Sequence, residues 1–150
     1  MAFEKTFAML KPGILQRRIV GDVIRRLEHK GLRIQALKLM NITPELAAQH
    51  YAEHKGKPFY DPLIEYMTSG PVIAMVLAGE HATHQLRKIC GATNPDEAAP
   101  GTIRGDYSEK MNRNVIHASD SPESAAREIA LFFKPEEIIE YEDEHAKWIV

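Results

Sequence analysis

The chain has 150 residues, with 19 Lys and Arg against 21 Asp and Glu and a formal net charge of -2. That balance excludes a broadly basic surface of the kind that holds nucleic acid or anionic membrane by bulk charge, so any anionic ligand has to be gripped by cationic side chains gathered locally. A hydrophobic fraction of 44% and a charged fraction of 27% are those of a globular protein, and the length suits one domain, residues 1–150, with a real core.

In chain order, residues 3–10 read as a strand, apolar at Phe3, Phe7, Met9 and Leu10 and stopped by the breaker Lys11-Pro12-Gly13. Ile19, Val20, Val23, Ile24 and Leu27 recur at helical spacing, and His29-Lys30-Gly31 supplies a helix end. Residues 32–42 alternate and then shift phase at Leu37 and Leu39, as in a strand with a bulge. Thr43-Pro44-Glu45 combines an N-cap, a proline at the first helical position and an early acid, which predicts a helix to about His54. A short helix over 60–68 follows and breaks at Ser69-Gly70-Pro71. Residues 72–78 are apolar throughout, as in a strand buried on both faces.

A helix is expected over 82–90. Residues 91–114 form a long stretch rich in Gly, Pro, Asn and Asp, of a kind a compact domain keeps only for a use. Residues 115–118 are a short strand, and Ser121-Pro122-Glu123 opens a helix that ends near Phe133. The tail, 134–150, is acidic yet carries Tyr141, Trp148 and Ile149, and is expected to dock on a neighbouring surface. The order predicts an α/β (α+β) fold: a ferredoxin-like βαββαβ antiparallel sheet with helices packed on it.

Several function classes are excluded by what is missing. There is no GxxxxGK[ST], no GxGxxG, and neither the HRD nor the DFG signature of protein kinases. Phosphate would have to be held by Lys and Arg from separate parts of the chain. The single cysteine, Cys90, forbids an intrachain disulfide and gives no thiolate cluster for zinc. Residues 1–5 lack the apolar stretch of a secretory signal, and the longest strongly apolar run, 71–78, is far short of the ~20 residues of a membrane span. A cytoplasmic location is expected.

The chemistry concentrates in Asn114-Val115-Ile116-His117-Ala118-Ser119-Asp120. His117 sits between a short apolar strand and a helix start, behind two β-branched residues that hold its backbone. A neutral imidazole is nucleophilic near neutral pH, and Ser119 and Asp120 are near enough to orient it. Glu128 lies three residues after Ala125 and four before Phe132, so it borders the apolar stripe of its helix. A carboxylate there needs a partner, and a nearby imidazole would serve, in the nucleophile-plus-orienter arrangement of covalent catalysis. On spacing alone, a structural His117 and mere capping by Ser119, Asp120 and Ser121 stay open.

The same stretch resembles the active-site signature of nucleoside diphosphate kinases, N-x-x-H-[GA]-S-D. The resemblance extends through Thr6-Phe7-Ala8-Met9-Leu10-Lys11-Pro12, Tyr51-Ala52-Glu53-His54, Lys57-Pro58-Phe59, Met67-Thr68-Ser69-Gly70-Pro71, Gly91-Ala92-Thr93-Asn94-Pro95 and Pro100-Gly101-Thr102-Ile103-Arg104-Gly105-Asp106 to residues 121–133. It covers nearly the whole chain in order. It implies transfer of a γ-phosphoryl group from a nucleoside triphosphate to a nucleoside diphosphate, ATP and GDP among them, by a ping-pong route through a phosphohistidine on His117.

By the same resemblance Lys11, Arg87 and Arg104 grip phosphate with the hydroxyl of Thr93. Phe59 stacks on the base, Leu63 lines that part of the cleft, Asn114 bonds the ribose and Tyr51 places its hydroxyl near the histidine. Ser119 and Glu128 support the imidazole. Stacking accepts every base, which implies broad specificity. Mg²⁺ is implied on the nucleotide phosphates, with few or no protein ligands. The loop around Pro95 and the Trp148-Ile149 tail imply a homo-oligomer, a hexamer in preference to a tetramer. The chain departs from the family pattern at Met111, Asn112 and Ala118; the first two bear on base preference.

Two rival readings come from other classes. His50-Tyr51-Ala52-Glu53-His54 fits the inverted zinc-protease pattern H-x-x-E-H, with two histidines four apart on one helix; the plainer reading is two histidines on a solvated helix face. His81 and His84 read as surface residues near a helix start. The second rival is a non-catalytic ferredoxin-like nucleotide-binding module, since fold does not determine function.

Overall fold

The structure is a computed structural model that describes residues 3–108, 110–144 and 146–148, with only the backbone described for Asn112 and Ala146. Four strands, β1 (Phe3–Leu10), β2 (Arg33–Met40), β3 (Val72–Glu80) and β4 (Ile116–Ala118), form one sheet in the order β2-β3-β1-β4. All three pairings are antiparallel. This is the expected ferredoxin-like sheet, with a helical insertion between β2 and β3. The helices are α1 (Ile14–Arg17), α2 (Val20–His29), α3 (Pro44–His50), α4 (Tyr60–Met67), α5 (Ala82–Cys90), α6 (Ile103–Tyr107) and α7 (Pro122–Phe132).

The period-2 rule of a strand divides the core in two. Ala8 and Leu10 of β1 and Ile73, Met75 and Leu77 of β3 pack with Val23, Leu27 and Leu86 from α2 and α5. Phe7 and Met9, with Val72, Ala74 and Val76, point the other way and pack with Ala47, Met67 and Phe132 from α3, α4 and α7. Both central strands are therefore apolar at consecutive positions, which is why 72–78 read as a run and not as an alternation.

The differences from the sequence reading are local. Residues 14–17 form a helical turn where only a break was expected. The bulge in β2 falls between Ile34 and Ala36, ahead of the phase change at Leu37, and leaves Leu37 and Leu39 exposed on the outer strand. The Thr43 side chain caps Leu46 N as predicted, but α3 stops at His50 and residues 52–54 turn as a 3-10 helix. Residues 91–114 are not irregular: α6 lies within them, capped by Thr102 on Gly105 N, between two 3-10 turns. The predicted strand start at Val115 is a turn. Val115 has φ 75°, and Ile116 N donates to Asn114 O at 2.8 Å, a three-residue turn of the rare, strained hand.

The tail docks as expected, on the chain's own β2: Ile139 N donates to Gln35 O at 2.8 Å and the Tyr141 hydroxyl to Ile34 O at 2.9 Å. Glu137 and Glu140 pair with Lys38 and Lys5. Trp148 stays exposed, and Ile149 lies outside the described residues. Among the described residues no helix is long and apolar enough to cross a membrane.

Gly91 ends α5 at φ 84° and ψ -179°, a region essentially confined to glycine, and a Cβ there would lie 2.4 Å from Thr102 Oγ1. Gly13 also has positive φ but open space around it. Gly91→Ala is therefore expected to lower stability by about 1–3 kcal/mol more than Gly13→Ala, the added cost of overpacking. Urea unfolding midpoints of the two variants measure this; equal midpoints would mean that the 91–114 segment yields without cost.

Candidate active site

His117 owes its direction to register. β4 lies against β1 with His117 opposite Met9, and Ile116 and Ala118 take the α2–α5 side of the core. His117 therefore points to the other face, where α3 and α7 cover the sheet. Glu128 meets it there: His117 Nε2 lies 3.0 Å from Glu128 Oε1. The Ser119 hydroxyl donates to the same oxygen at 2.5 Å, while Ser119 N donates to Phe7 O at 3.1 Å. Arg127 adds a cation 3.6 Å from Glu128 Oε2.

Glu128 is buried. Burial by itself would raise its pKa, but the hydrogen bonds from His117 and Ser119 and the charge of His117 win and hold it below the ordinary carboxylate value. Whenever the ring is neutral, a charged acceptor at Nε2 keeps the ring proton on that nitrogen, which leaves the lone pair on Nδ1. Helical spacing from Ala125 to Phe132, both buried with Glu128 on α7, produced this contact as anticipated.

The floor of the cleft is cationic. Arg104, buried on α6, donates through Nη2 to Ile116 O at 2.7 Å, through Nη1 to Gly91 O at 2.9 Å and through Nε to Asn114 O at 3.3 Å. One guanidinium thus ties the 91–114 segment to the strand that carries His117. Arg87 donates to Ala118 O at 3.0 Å. Lys11, one residue past the end of β1, donates to Asn114 Oδ1 at 2.6 Å, and the Asn114 amide donates to Thr93 O at 3.1 Å. Burial, with the charge of Arg104 beside it, pushes the Lys11 pKa down to about 7.

These groups line a single cleft of about 240 Å³ that contains Lys11, Tyr51, Arg87, Thr93, Arg104, Asn114, His117 and Glu128. Ser119 is fully buried behind Glu128. Phe59 and Leu63 are not among the lining residues. Phe59, 49% exposed, stands beside the cleft with its ring 5.2 Å from that of His54, a lining residue. Leu63, half-buried on α4, packs against the edge of the core. Asn114 spends its side chain on Lys11 and Thr93. Met111 is exposed, and the side chain of Asn112 lies outside the described residues.

Sequence reasoning missed His50. The pattern containing it was read as a metal pair or as a solvated face, and it is neither. α3 ends at His50, so His54 falls on a separate 3-10 turn, where its ring stacks on Tyr51 and meets Phe59 edge-on. His50 is buried, its ring centroid 4.7 Å from that of His117 and its Nδ1 4.0 Å from Glu128 Oε2. Burial, and then the charge of His117, push its pKa down to about 3, so it is neutral. Its burial was legible: His50 lies three residues after Ala47, on the apolar side of α3. Glu53, His54, Asp120, Ser124 and Arg127 also line the cleft. His81 and His84 are exposed, as expected.

A polyanion in this cleft would restore the charge on Lys11. The unfolded chain keeps the ordinary pKa near 10.5, and folding lowers it to about 7. Between these values the unfolded state binds more protons, so this group's contribution to stability rises with pH across that window. Binding of inorganic triphosphate at pH 8 should raise the Lys11 pKa again and take up about one proton. Calorimetry in buffers of different ionisation enthalpy would measure the uptake, and Lys11→Met should remove most of it. Uptake unchanged in Lys11→Met would place the proton elsewhere.

The family model for nucleoside diphosphate kinase matches residues 4–138. A nucleoside diphosphate kinase from Archaeoglobus fulgidus is 56% identical over 146 residues, covering 97% of each chain. One from Moorella thermoacetica is 59% identical over 138 residues, covering 92% of this chain and 99% of that one. Among solved structures, a halophilic nucleoside diphosphate kinase from Halobacterium salinarum in complex with CDP superposes with a TM-score of 0.96 at 48% identity, covering 99% of both chains. With this site geometry and relatives that match it nearly end to end, the chain belongs to the nucleoside diphosphate kinase family and is a phosphotransferase.

Proposed function

We propose that the protein moves the γ-phosphoryl group between nucleoside triphosphates and diphosphates through His117. The observation that carries this is the His117 Nε2–Glu128 contact at 3.0 Å in a cleft lined by Lys11, Arg87 and Arg104. Nδ1 attacks the γ-phosphorus, the bond to the β–γ bridging oxygen breaks, and the nucleoside diphosphate leaves. A second diphosphate then takes the group back by attack of its terminal oxygen on phosphorus, which restores the lone pair of Nδ1. Glu128 balances the positive charge that builds on the ring as Nδ1 bonds to phosphorus, and Ser119 holds Glu128. The reaction asks mainly for positioning and counter-charge. Lys11, Arg87, Arg104 and Thr93 supply both to the phosphates, while Tyr51 and Asn114 border the same space.

Mg²⁺ belongs to this reading as a partner of the nucleotide. The donors around Lys11 and Arg104 are cationic, which fits a metal held by phosphate oxygens and not by the protein; when bound, it supplies further counter-charge to those oxygens. Phe59 and Leu63 serve the base, with Phe59 free to stack on any of them. A homo-oligomer, hexamer before tetramer, accompanies the reading, as does a cytoplasmic location. Exposed Leu37 and Leu39 on the outer strand β2, together with Trp148, support burial against another copy.

Three measurements test the proposal. Incubation with γ-labelled ATP and Mg²⁺ should leave acid-labile, base-stable label on the protein, and added GDP should discharge it as GTP. His117→Ala should abolish transfer while keeping the fold and nucleotide binding; retention of most activity would sink the assignment. Phe59→Ala should weaken all nucleotides by about 5- to 100-fold, the worth of a stacked base, in measured dissociation constants. A loss confined to one base would contradict stacking.

A further inference from the structure

Of the cleft histidines His50, His54 and His117, the phosphotransfer scheme uses only His117, and of the other two His50 is the buried one. It is 4% exposed, and neither ring nitrogen has a hydrogen-bond partner among the described residues. A buried polar side chain without partners is unusual, and it points to a ligand or an alternative state. Its neighbours indicate which. One ligating atom each from His50, His117 and Glu128 lie within 4.8 Å of one another. His117 Nε2 and Glu128 Oε1 are 3.0 Å apart, and His50 Nδ1 and Glu128 Oε2 are 4.0 Å apart. A tetrahedral Zn²⁺ with ligand bonds of about 2.0–2.1 Å separates its donors by about 3.3–3.5 Å. The two contacts to the Glu128 carboxylate straddle that value, and the widest pair of ligating atoms, no more than 4.8 Å apart, has to draw in by side-chain rotation to close the site. Two imidazoles and a carboxylate are the donor set that zinc prefers.

We propose that His50, His117 and Glu128 form an inhibitory zinc site. Zn²⁺ replaces the proton that His117 Nε2 shares with Glu128 and releases it to solvent. His50 supplies the third ligand, and water from the cleft takes the fourth position. With its Nε2 electron pair donated to the metal, His117 loses basicity at Nδ1, and its ring is fixed by the metal instead of by the carboxylate. The inhibition rests on the nucleophilic role proposed for His117; the binding does not. The device differs from a metalloprotease site, which would have used His54, and from magnesium on the nucleotide, which stays on the phosphate side of the cleft.

The binding measurements omit nucleotide, so that zinc on phosphates cannot intervene. Titration of the protein with Zn²⁺ against a chromophoric chelator at pH 7.5 should give one site per chain, at least 10-fold weaker in His50→Gln and in Glu128→Gln and unchanged in His54→Ala. Unchanged affinity in His50→Gln, or equal loss in His54→Ala, would overturn the site. As a measurement on the unaltered protein, ¹⁵N-imidazole spectra should show His50 and His117 shifting together at one equivalent. Shifts confined to exposed histidines such as His29, His81 and His84 would overturn the proposal without any variant that has to fold. If zinc binds as described yet leaves phosphoenzyme formation unimpaired, the inhibitory claim fails, while a protein that forms no phosphoenzyme with or without zinc fails the phosphotransfer reading instead.

Discussion

A carboxylate sealed inside a protein remains charged only if donors converge on it. Glu128 meets that condition with the imidazole of His117, the hydroxyl of Ser119 and the guanidinium of Arg127, and much of the architecture serves to bring them together. The sheet supplies His117, the residues just beyond β4 supply Ser119, and α7 supplies the acid. A slip of one residue in the β1–β4 register would turn His117 into the opposite core layer, leaving Glu128 buried and unpaired. The Glu128 contact thus selects the register that Met9 opposite His117 records.

Around that axis the molecule concentrates positive charge that its totals do not reveal. Net charge is -2, yet Lys11, Arg87 and Arg104 converge on one small cleft. Their mutual repulsion and burial are offset in different ways. Arg104 spends its guanidinium on three backbone carbonyls and so acts as a structural bolt as well as a charge. Lys11 has one amide oxygen, and its ammonium is correspondingly destabilised. A cleft that is strained electrostatically when empty favours an anionic occupant, because the ligand relieves the repulsion.

The backbone shows related tension. Val115 adopts φ 75° while its side chain is fully buried, a conformation that costs a β-branched residue about 1–3 kcal/mol. It persists because both sides are clamped: Lys11 N donates to Val115 O at 2.9 Å, and Arg104 holds the carbonyls of Asn114 and Ile116. The turn lets Asn114 reach back to Lys11 while His117, three residues later, enters the sheet.

Local pattern by itself determined the element types, the two-sided burial of β3, the caps at Thr43 and Ser121 and the need of Glu128 for a partner, because these depend on neighbours within a turn or two of chain. The signature around His117 and its resemblance to a family pointed to the cleft that the structure assembles around that residue. Other features needed the tertiary structure. The stop of α3 at His50, the order inside 91–114 and the turn at Val115 are set by Arg104 and by packing from distant elements, which no local periodicity encodes. His50 shows the limit most clearly. Its spacing to His54 fits a helix and suggests a solvated pair, and its spacing to Ala47 carries its burial, but its place against His117 and Glu128 arises only when α3 and α7 close over the same face of the sheet, because local spacing can mark a side chain as buried without saying which distant element it will meet.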